Sequence, residues 1–241
     1  MHRELLDCFQ QLHLKIMPKL LSIFILGVLC LVGCSKQSAP ATNSVPVGSA
    51  TPAGTQTTKS LPKIVAFGDS LTAGLGLSAN EAFPALLQER LKRDGYDYEV
   101  VNAGVSGDTS AGGVRRIEWA LDGDVRFLIL ELGANDFLRG QPVAETKKNL
   151  ETIIDRAQAR NVKVLLAGML APTNAGREYQ EQIRNMFVEV AREKNVTLIP
   201  FFLESVAGME GLNQADGIHP NVEGTKLVAE TVYKHLRPML D

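Results

Sequence analysis

A serine becomes a nucleophile only where a base can take its proton, and such bases are scarce in this chain. Four histidines occur, and two of them, His2 and His13, lie in an amino-terminal stretch that reads as a leader. His235 stands in a helical pattern beside Lys234, Arg237 and Glu230, the composition of a solvated face. His219 is left as the candidate base. It lies in Asp216-Gly217-Ile218-His219-Pro220-Asn221, where Asp216 is close enough to accept the second ring proton and fix the tautomer. An isolated Asp-x-x-His also suits a capped turn or half a metal site, but no second His or Cys stands with it to complete a typical zinc set. The candidate nucleophile is Ser70, in Gly68-Asp69-Ser70-Leu71-Thr72-Ala73-Gly74. Two more strings hold possible oxyanion donors. Gly104, in Asn102-Ala103-Gly104-Val105-Ser106-Gly107-Asp108-Thr109-Ser110, could present a bare backbone N–H. Asn135, in Gly133-Ala134-Asn135-Asp136, supplies a side-chain N–H that does not titrate. Singly, each string also fits an ordinary turn or cap.

These four strings gain force from the elements around them. Lys63-Ile64-Val65-Ala66-Phe67 is a short apolar run, the pattern of a buried strand, and it leads straight into Gly68-Asp69-Ser70. Residues 80–94 carry helical spacing at Phe83, Leu86, Leu87 and Leu91 and stop at Gly95. Strands are expected at 98–101, 125–132, 162–169 and 196–200, and helices at 108–121, 142–160, 176–194 and 222–236, with Asp108 or Thr109 capping the first of these. Five strands separated by helices, with continuous apolar runs, predict an α/β protein whose five-stranded parallel sheet is covered on both faces. Right-handed crossovers then bring every strand-to-helix loop to one rim of the sheet. A Ser, a His with its Asp and two further donors converge there, the minimum set for acyl transfer.

Of 241 residues, 25 are Lys or Arg and 27 are Asp or Glu, a net charge of −2 that argues against a nucleic-acid binder. All three cysteines, Cys8, Cys30 and Cys34, precede the domain, so no disulfide framework or cysteine zinc site exists downstream. Leu20 to Val32 is an uncharged apolar run with Lys15 and Lys19 before it, too short for a permanent membrane helix but suited to a secretory signal. It ends in Leu31-Val32-Gly33-Cys34, which resembles the bacterial lipobox, so residues 1–33 are expected to be a lipoprotein signal and Cys34 the lipidated residue. Glu4 and Asp7 suit a positive leader poorly, and Met17 is the better start. Residues 34–61 are mostly Ser, Thr, Ala, Pro and Gly, too poor in large apolar groups to offset ordering entropy, and read as a disordered tether before a domain at 62–241.

Taken together, Gly68-Asp69-Ser70-Leu71, Gly104, Gly133-x-Asn135-Asp136 and Asp216-x-x-His219 resemble the four blocks of the SGNH, or GDSL, hydrolases. The longer strings 106–110, 135–140 and 216–221 are similar to a narrower group, the bacterial periplasmic acyl-CoA thioesterase/lysophospholipases and related arylesterases. The resemblance covers Lys63 to Leu240 and implies a flavodoxin-like three-layer sandwich. It also implies Ser70 as nucleophile, His219 as base and Asp216 as its orienter, with an oxyanion hole of the Ser70 N–H, the Gly104 N–H and the Asn135 side chain. No cofactor, metal, nucleic acid or obligate protein partner is expected. The partners are a small ester or thioester and, through the anchor, a membrane. The chain departs from the soluble relatives in its lipobox and tether. Ser35 after Cys34 is not the Asp of an inner-membrane retention signal, which favours the periplasmic face of an outer membrane.

Other motifs carry less. Gly74-x-Gly76-x-x-Ala79 imitates a dinucleotide fingerprint but begins past the tight turn, and Asn102 stands where an acid would hold a ribose. Asn195-Val196-Thr197 is a glycosylation triplet only by pattern. Asp69 and Asp136 read as hydrogen-bonding supports for the loops, and Arg115 and Arg116 as a solvated helix face. The loop Met169-Leu170-Ala171-Pro172-Thr173-Asn174 is expected to shape an acyl pocket for short to medium chains or aryl groups. The competing readings are an O-acetylesterase of cell-wall or exported polysaccharide, disfavoured by the single Trp119, and a non-catalytic surface lipoprotein.

Overall fold

The computed structural model describes residues 60–171 and 175–240. The leader, Cys34, nearly all of the tether and residues 172–174 of the loop after the fourth strand lie outside the described residues. Five strands, β1 (Lys63–Gly68), β2 (Glu99–Gly104), β3 (Val125–Glu131), β4 (Lys163–Ala167) and β5 (Thr197–Ile199), form one sheet. The order is β2-β1-β3-β4-β5, and every neighbouring pair is parallel. The helices are α1 (Ser70–Ala73), α2 (Phe83–Arg93), α3 (Ser110–Ala120), α4 (Ala134–Leu138), α5 (Val143–Gln158), α6 (Arg177–Lys194) and α7 (Val222–Leu240).

The chain runs from β1 outward to β2, then returns across β1 to β3 and continues to β4 and β5. With right-handed crossovers, that reversal puts α2 on one face and α3, α5 and α6 on the other. The packing agrees: α2 lies against α7, whereas α5 lies between α3 and α6. The three layers are held by β1, β3 and β4, whose apolar runs are buried on both faces. Edge-to-face aromatic pairs extend the core outward, Phe83 with Phe202 at 5.4 Å and Phe137 with Phe187 at 6.2 Å.

Most boundaries fall within two or three residues of expectation, and two differences have physical causes. β2 continues to Gly104 instead of ending at Val101, because pairing with β1 persists to Gly68↔Gly104 and offsets the polarity of Asn102. α7 runs on to Leu240 past Pro238, since a proline near a helix end forfeits only one late hydrogen bond. Thr109 caps α3, its side chain accepting from the Gly112 N–H. Asn221 does the same for α7, with Oδ1 accepting from the Glu223 and Gly224 N–H groups.

At the rim, β2 comes very close to α1. A Cβ on Gly104 would lie 2.2 Å from Ala73 N and 2.7 Å from Ala73 Cα, main-chain atoms that cannot rotate away. Gly104→Ala is therefore expected to cost about 1–3 kcal/mol as overpacking, read as a lowered urea midpoint with an unchanged m-value.

Candidate functional site

The strand order reverses between β1 and β3, and the loops that follow these two strands diverge at that switch point. Ser70 follows β1 and Asn135 follows β3, so both stand in the crevice where ligands of such sheets bind. Asp69 precedes α1 as its N-cap: its Oδ1 accepts from the Leu71 N–H at 3.0 Å and sets the turn that lifts Ser70.

Ser70 Oγ lies 2.9 Å from His219 Nε2, and His219 Nδ1 lies 2.7 Å from Asp216 Oδ2. Asp216 Oδ1 accepts from the Ile218 and His219 backbone N–H groups at 2.9 and 3.0 Å. Those donors are the largest influence on the acid and, with the His219 ring, hold its carboxyl at about 2. Asp216 is therefore ionised at neutral pH and accepts from Nδ1–H, leaving Nε2 free to accept the Ser70 proton. The His219 side chain is mostly buried, whereas that of Asp216 is 45% exposed.

His219 is carried on a loop that closes on itself. Asn213 and Pro220 form an antiparallel bridge, Gln214 N–H donates to the His219 carbonyl, and Asn221 N–H donates to the Leu212 carbonyl. Gln214 also reaches across to the serine loop, where its Nε2 donates to the Leu75 carbonyl at 2.7 Å. Gly76 permits this approach, because a Cβ there would fall 2.2 Å from Gln214 Oε1. Gln214 carried no signal of its own in the sequence; the adjacent glycine is the only trace of it.

Asn135 is fixed by Asp69, to whose Oδ2 its Nδ2 donates at 2.8 Å, which leaves its second amide N–H for another acceptor. Asp136 is buried and ties three elements, accepting from the Ser110 N–H at 2.8 Å, the Ser110 hydroxyl at 2.5 Å and the Thr146 hydroxyl at 3.3 Å. Both acids thus brace the loops.

Gly104 departs from expectation. Its N–H is not bare but donates to Asn102 Oδ1 at 3.0 Å, and its lack of a side chain answers the close passage of α1. Further along the same loop, Asp108 N–H donates to the Val105 carbonyl and Gly107 has φ +78°, which makes Val105–Asp108 a type II turn. Such a turn does not use the N–H of its third residue, here Gly107, whose carbonyl is held by Arg139 Nη2 at 2.8 Å.

Arg116 also corrects the sequence reading. Arg115 is exposed, but Arg116 turns inward, its guanidinium 3.8 Å from the centre of the Phe67 ring. It donates to the carbonyls of Ala103 and Gly68 and to Asp108 Oδ2, at 2.7, 2.8 and 2.7 Å. It joins the ends of β1 and β2 just behind the serine loop. The signal was Asp108 eight residues earlier, in the loop just before α3, an acid within reach of an arginine on the first turns of that helix. Among the described residues, no group of three His, Cys, Asp or Glu has the arrangement to hold a metal ion.

A Ser-His-Asp chain on the carboxyl rim of a 2-1-3-4-5 parallel sheet defines a serine ester hydrolase. The chain belongs to the GDSL-like lipase/acylhydrolase family, whose model matches residues 66–227. It is 43% identical over 178 residues to Esterase TesA of Pseudomonas aeruginosa, covering 73% of this chain and 89% of that protein. It is 37% identical over 179 residues to thioesterase 1/protease 1/lysophospholipase L1 of Escherichia coli K12, covering 74% and 85% respectively. The psychrotrophic esterase EstA from Pseudoalteromonas, in a structure inhibited by monoethylphosphonate, superposes with a TM-score of 0.70 at 33% identity. That match covers 74% of this chain and 98% of EstA.

Because Asp216 is held at about 2, it stays charged as pH falls from 7 to 4. A lowered acid contributes stability above its unfolded value of 3.8 and loses it only as pH falls through about 2. At neutral pH it is therefore an acceptor that fixes the orientation of the His219 ring. Asp216→Asn should lower kcat by about 10⁴, the scale of a wrong-tautomer triad, while circular dichroism at pH 7 shows an intact fold.

Proposed function

We propose that Ser70 is the nucleophile of an esterase or thioesterase that works outside the cytoplasm on substrates with an apolar acyl or aryl group. The observation that carries this reading is the hydrogen-bonded chain from Ser70 Oγ through His219 to Asp216, closed by contacts of 2.9 and 2.7 Å. Ser70 Oγ bonds to the substrate carbonyl carbon as its proton passes to His219 Nε2. The carbonyl oxygen becomes an oxyanion held by the Ser70 N–H and the free N–H of Asn135. A third donor comes from the loop after β2, where the turn leaves the N–H of Gly107 unused whereas that of Gly104 is bonded to Asn102. Collapse of the intermediate expels the alcohol or thiol with the proton from His219. Water, activated by the same nitrogen, then attacks the acyl-enzyme and releases the acid.

Exposed apolar side chains support the substrate class. Leu75, Val105, Leu138 and Leu170 stand on loops or a helix end following β1, β2, β3 and β4, and Ile218 lies in the histidine loop, all on the rim that carries Ser70. The names of the relatives, an esterase and a thioesterase/lysophospholipase, point the same way. We further propose that residues 1–33 direct export to the bacterial envelope and that Cys34 is lipidated, with residues up to 61 tethering the enzyme at a membrane, the periplasmic face of the outer membrane being the favoured site. A flexible chain of that length spans roughly 30 Å end to end.

Ser70→Ala should abolish both ester turnover and covalent labelling by a phosphonate; full activity in that variant would falsify the mechanism. Asn135→Ala should keep the labelling site but lose about 10²–10³ in kcat. A panel of p-nitrophenyl esters and acyl thioesters of rising chain length measures the acyl preference, and activity confined to acetylated glycans would overturn the substrate class. Radiolabelled palmitate should enter the full-length protein and be lost in Cys34→Ser.

A further inference from the structure

Glu131, the last residue of β3, is a carboxyl group with no exposed surface, set in register beside Gly68 of β1. It lies directly beneath the turn that carries Ser70. Its Oε2 accepts from the Asp69 N–H at 3.1 Å and from the Thr72 hydroxyl at 2.7 Å, gripping the turn on both sides of the serine. Gly68 must lack a side chain to allow this, since a Cβ would sit 2.4 Å from Glu131 Oε2 and 2.1 Å from Thr72 Oγ1. From Asp69 the chain of bonds continues, one carboxylate oxygen holding the Leu71 N–H and the other the Asn135 amide. The nucleophile and an oxyanion donor thus share a single foundation.

We propose that Glu131 is a positioning residue of the esterase reaction, setting the height of the Ser70 hydroxyl and the aim of the Asn135 amide through residues 69 and 72. The role rests on Ser70 being the nucleophile.

Glu131 performs it as an un-ionised acid. No cation pairs with it among the described residues. Arg116, which reaches β1 from α3, is committed to Asp108 and two carbonyls, and His219 is engaged with Ser70 and Asp216. The titratable neighbour that does face it is Asp69, a like charge. Burial first, and Asp69 second, push the Glu131 carboxyl well above the usual range. Asp69 is raised by burial too, but it accepts from Leu71 and Asn135, bonds that favour its charged form, so the shared proton rests on Glu131. Oε2 already receives two donors, so the acid proton is assigned to Oε1, the buried oxygen that accepts no hydrogen bond.

The test compares Glu131→Gln with Glu131→Ala. Glutamine is always neutral and keeps an oxygen for Asp69 and Thr72. Its kcat, per site titrated with phosphonate, should stay within about threefold of the native enzyme, with KM and the pH profile unchanged. Alanine releases the turn and should lose about 10–100-fold in kcat per titrated site, with little change in KM, the scale of a displaced reacting group. If the alanine variant does not fold, Thr72→Val removes one of the two grips and should lower kcat in the same sense. Two readouts do not depend on activity. Infrared difference spectra of native against Glu131→Gln should show an un-ionised carboxyl band at pH 7 that only the native protein has. A raised acid stabilises the fold below its unfolded value of 4.5 and loses that stability as pH rises, so the Tm of the glutamine variant should gain on the native value between about pH 5 and 8.

A glutamine variant as impaired as alanine, with no carboxyl band, would overturn the un-ionised role. Native kcat in folded Glu131→Ala or Thr72→Val would overturn positioning. Failure of the nucleophile assignment would appear separately, as active Ser70→Ala, and would leave the infrared and melting results standing.

Discussion

Gly68 has no side chain because the carboxyl of Glu131 stands where one would be. That exchange of volume between two neighbouring strands is the constraint on which the reactive end of the molecule depends. It lets β1 and β3 stay in register to their last residues while a polar group is sealed at the switch point. The turn of α1 then sits on an acid instead of on apolar packing, and its hydrogen bonds are directional where apolar contacts are not. Asp69, Thr72 and Asn135 inherit their places from it. Arg116 does the same from the other side, stacking on Phe67 and joining the ends of β1 and β2. Two ionisable side chains set behind the serine loop, the guanidinium of Arg116 and the carboxyl of Glu131, thus define where the serine stands.

How much of this could be read beforehand differs by residue. The sheet was legible because its central strands are unbroken apolar runs, and a parallel arrangement follows from alternation with helices. Ser70, His219 and Asp216 were legible because few residue types can do their chemistry and the chain holds so few histidines. The scaffold beneath them was not. Glu131 lies inside the apolar run 125–132, one residue before its end, where a single charged residue gives no sign of its surroundings; the pairing of β1 with β3 shows that it is sealed in. Arg116 follows the exposed Arg115, with which it reads as one basic pair, and a guanidinium held by stacking on a ring leaves no periodic trace. The glycine at 104 does mark a close approach, but what approaches is the backbone of α1, and the N–H is already bonded to Asn102.

The two halves of the site are built on different physics. The serine side is anchored in the core through buried acids and the sheet. The histidine side is held by its own short-range hydrogen bonds, from the Asn213–Pro220 bridge to the Asp216 turn, with Gln214 as its tie to the serine loop. The first half depends on the sheet and the second on a short stretch of chain before α7.

The exposure of Asp216 has its own consequence. A carboxylate that faces water is already well solvated, and salt screens its field beyond about 10 Å but not across a direct contact. It acts on the imidazole through a 2.7 Å contact and adds little field elsewhere in the site. An enzyme arranged this way keeps its geometry across wide changes of ionic strength, because the bonds that aim the ring are short contacts within one turn of chain. That insensitivity is a physical advantage of aiming the ring through contacts within one turn of chain, even with the acid at the surface.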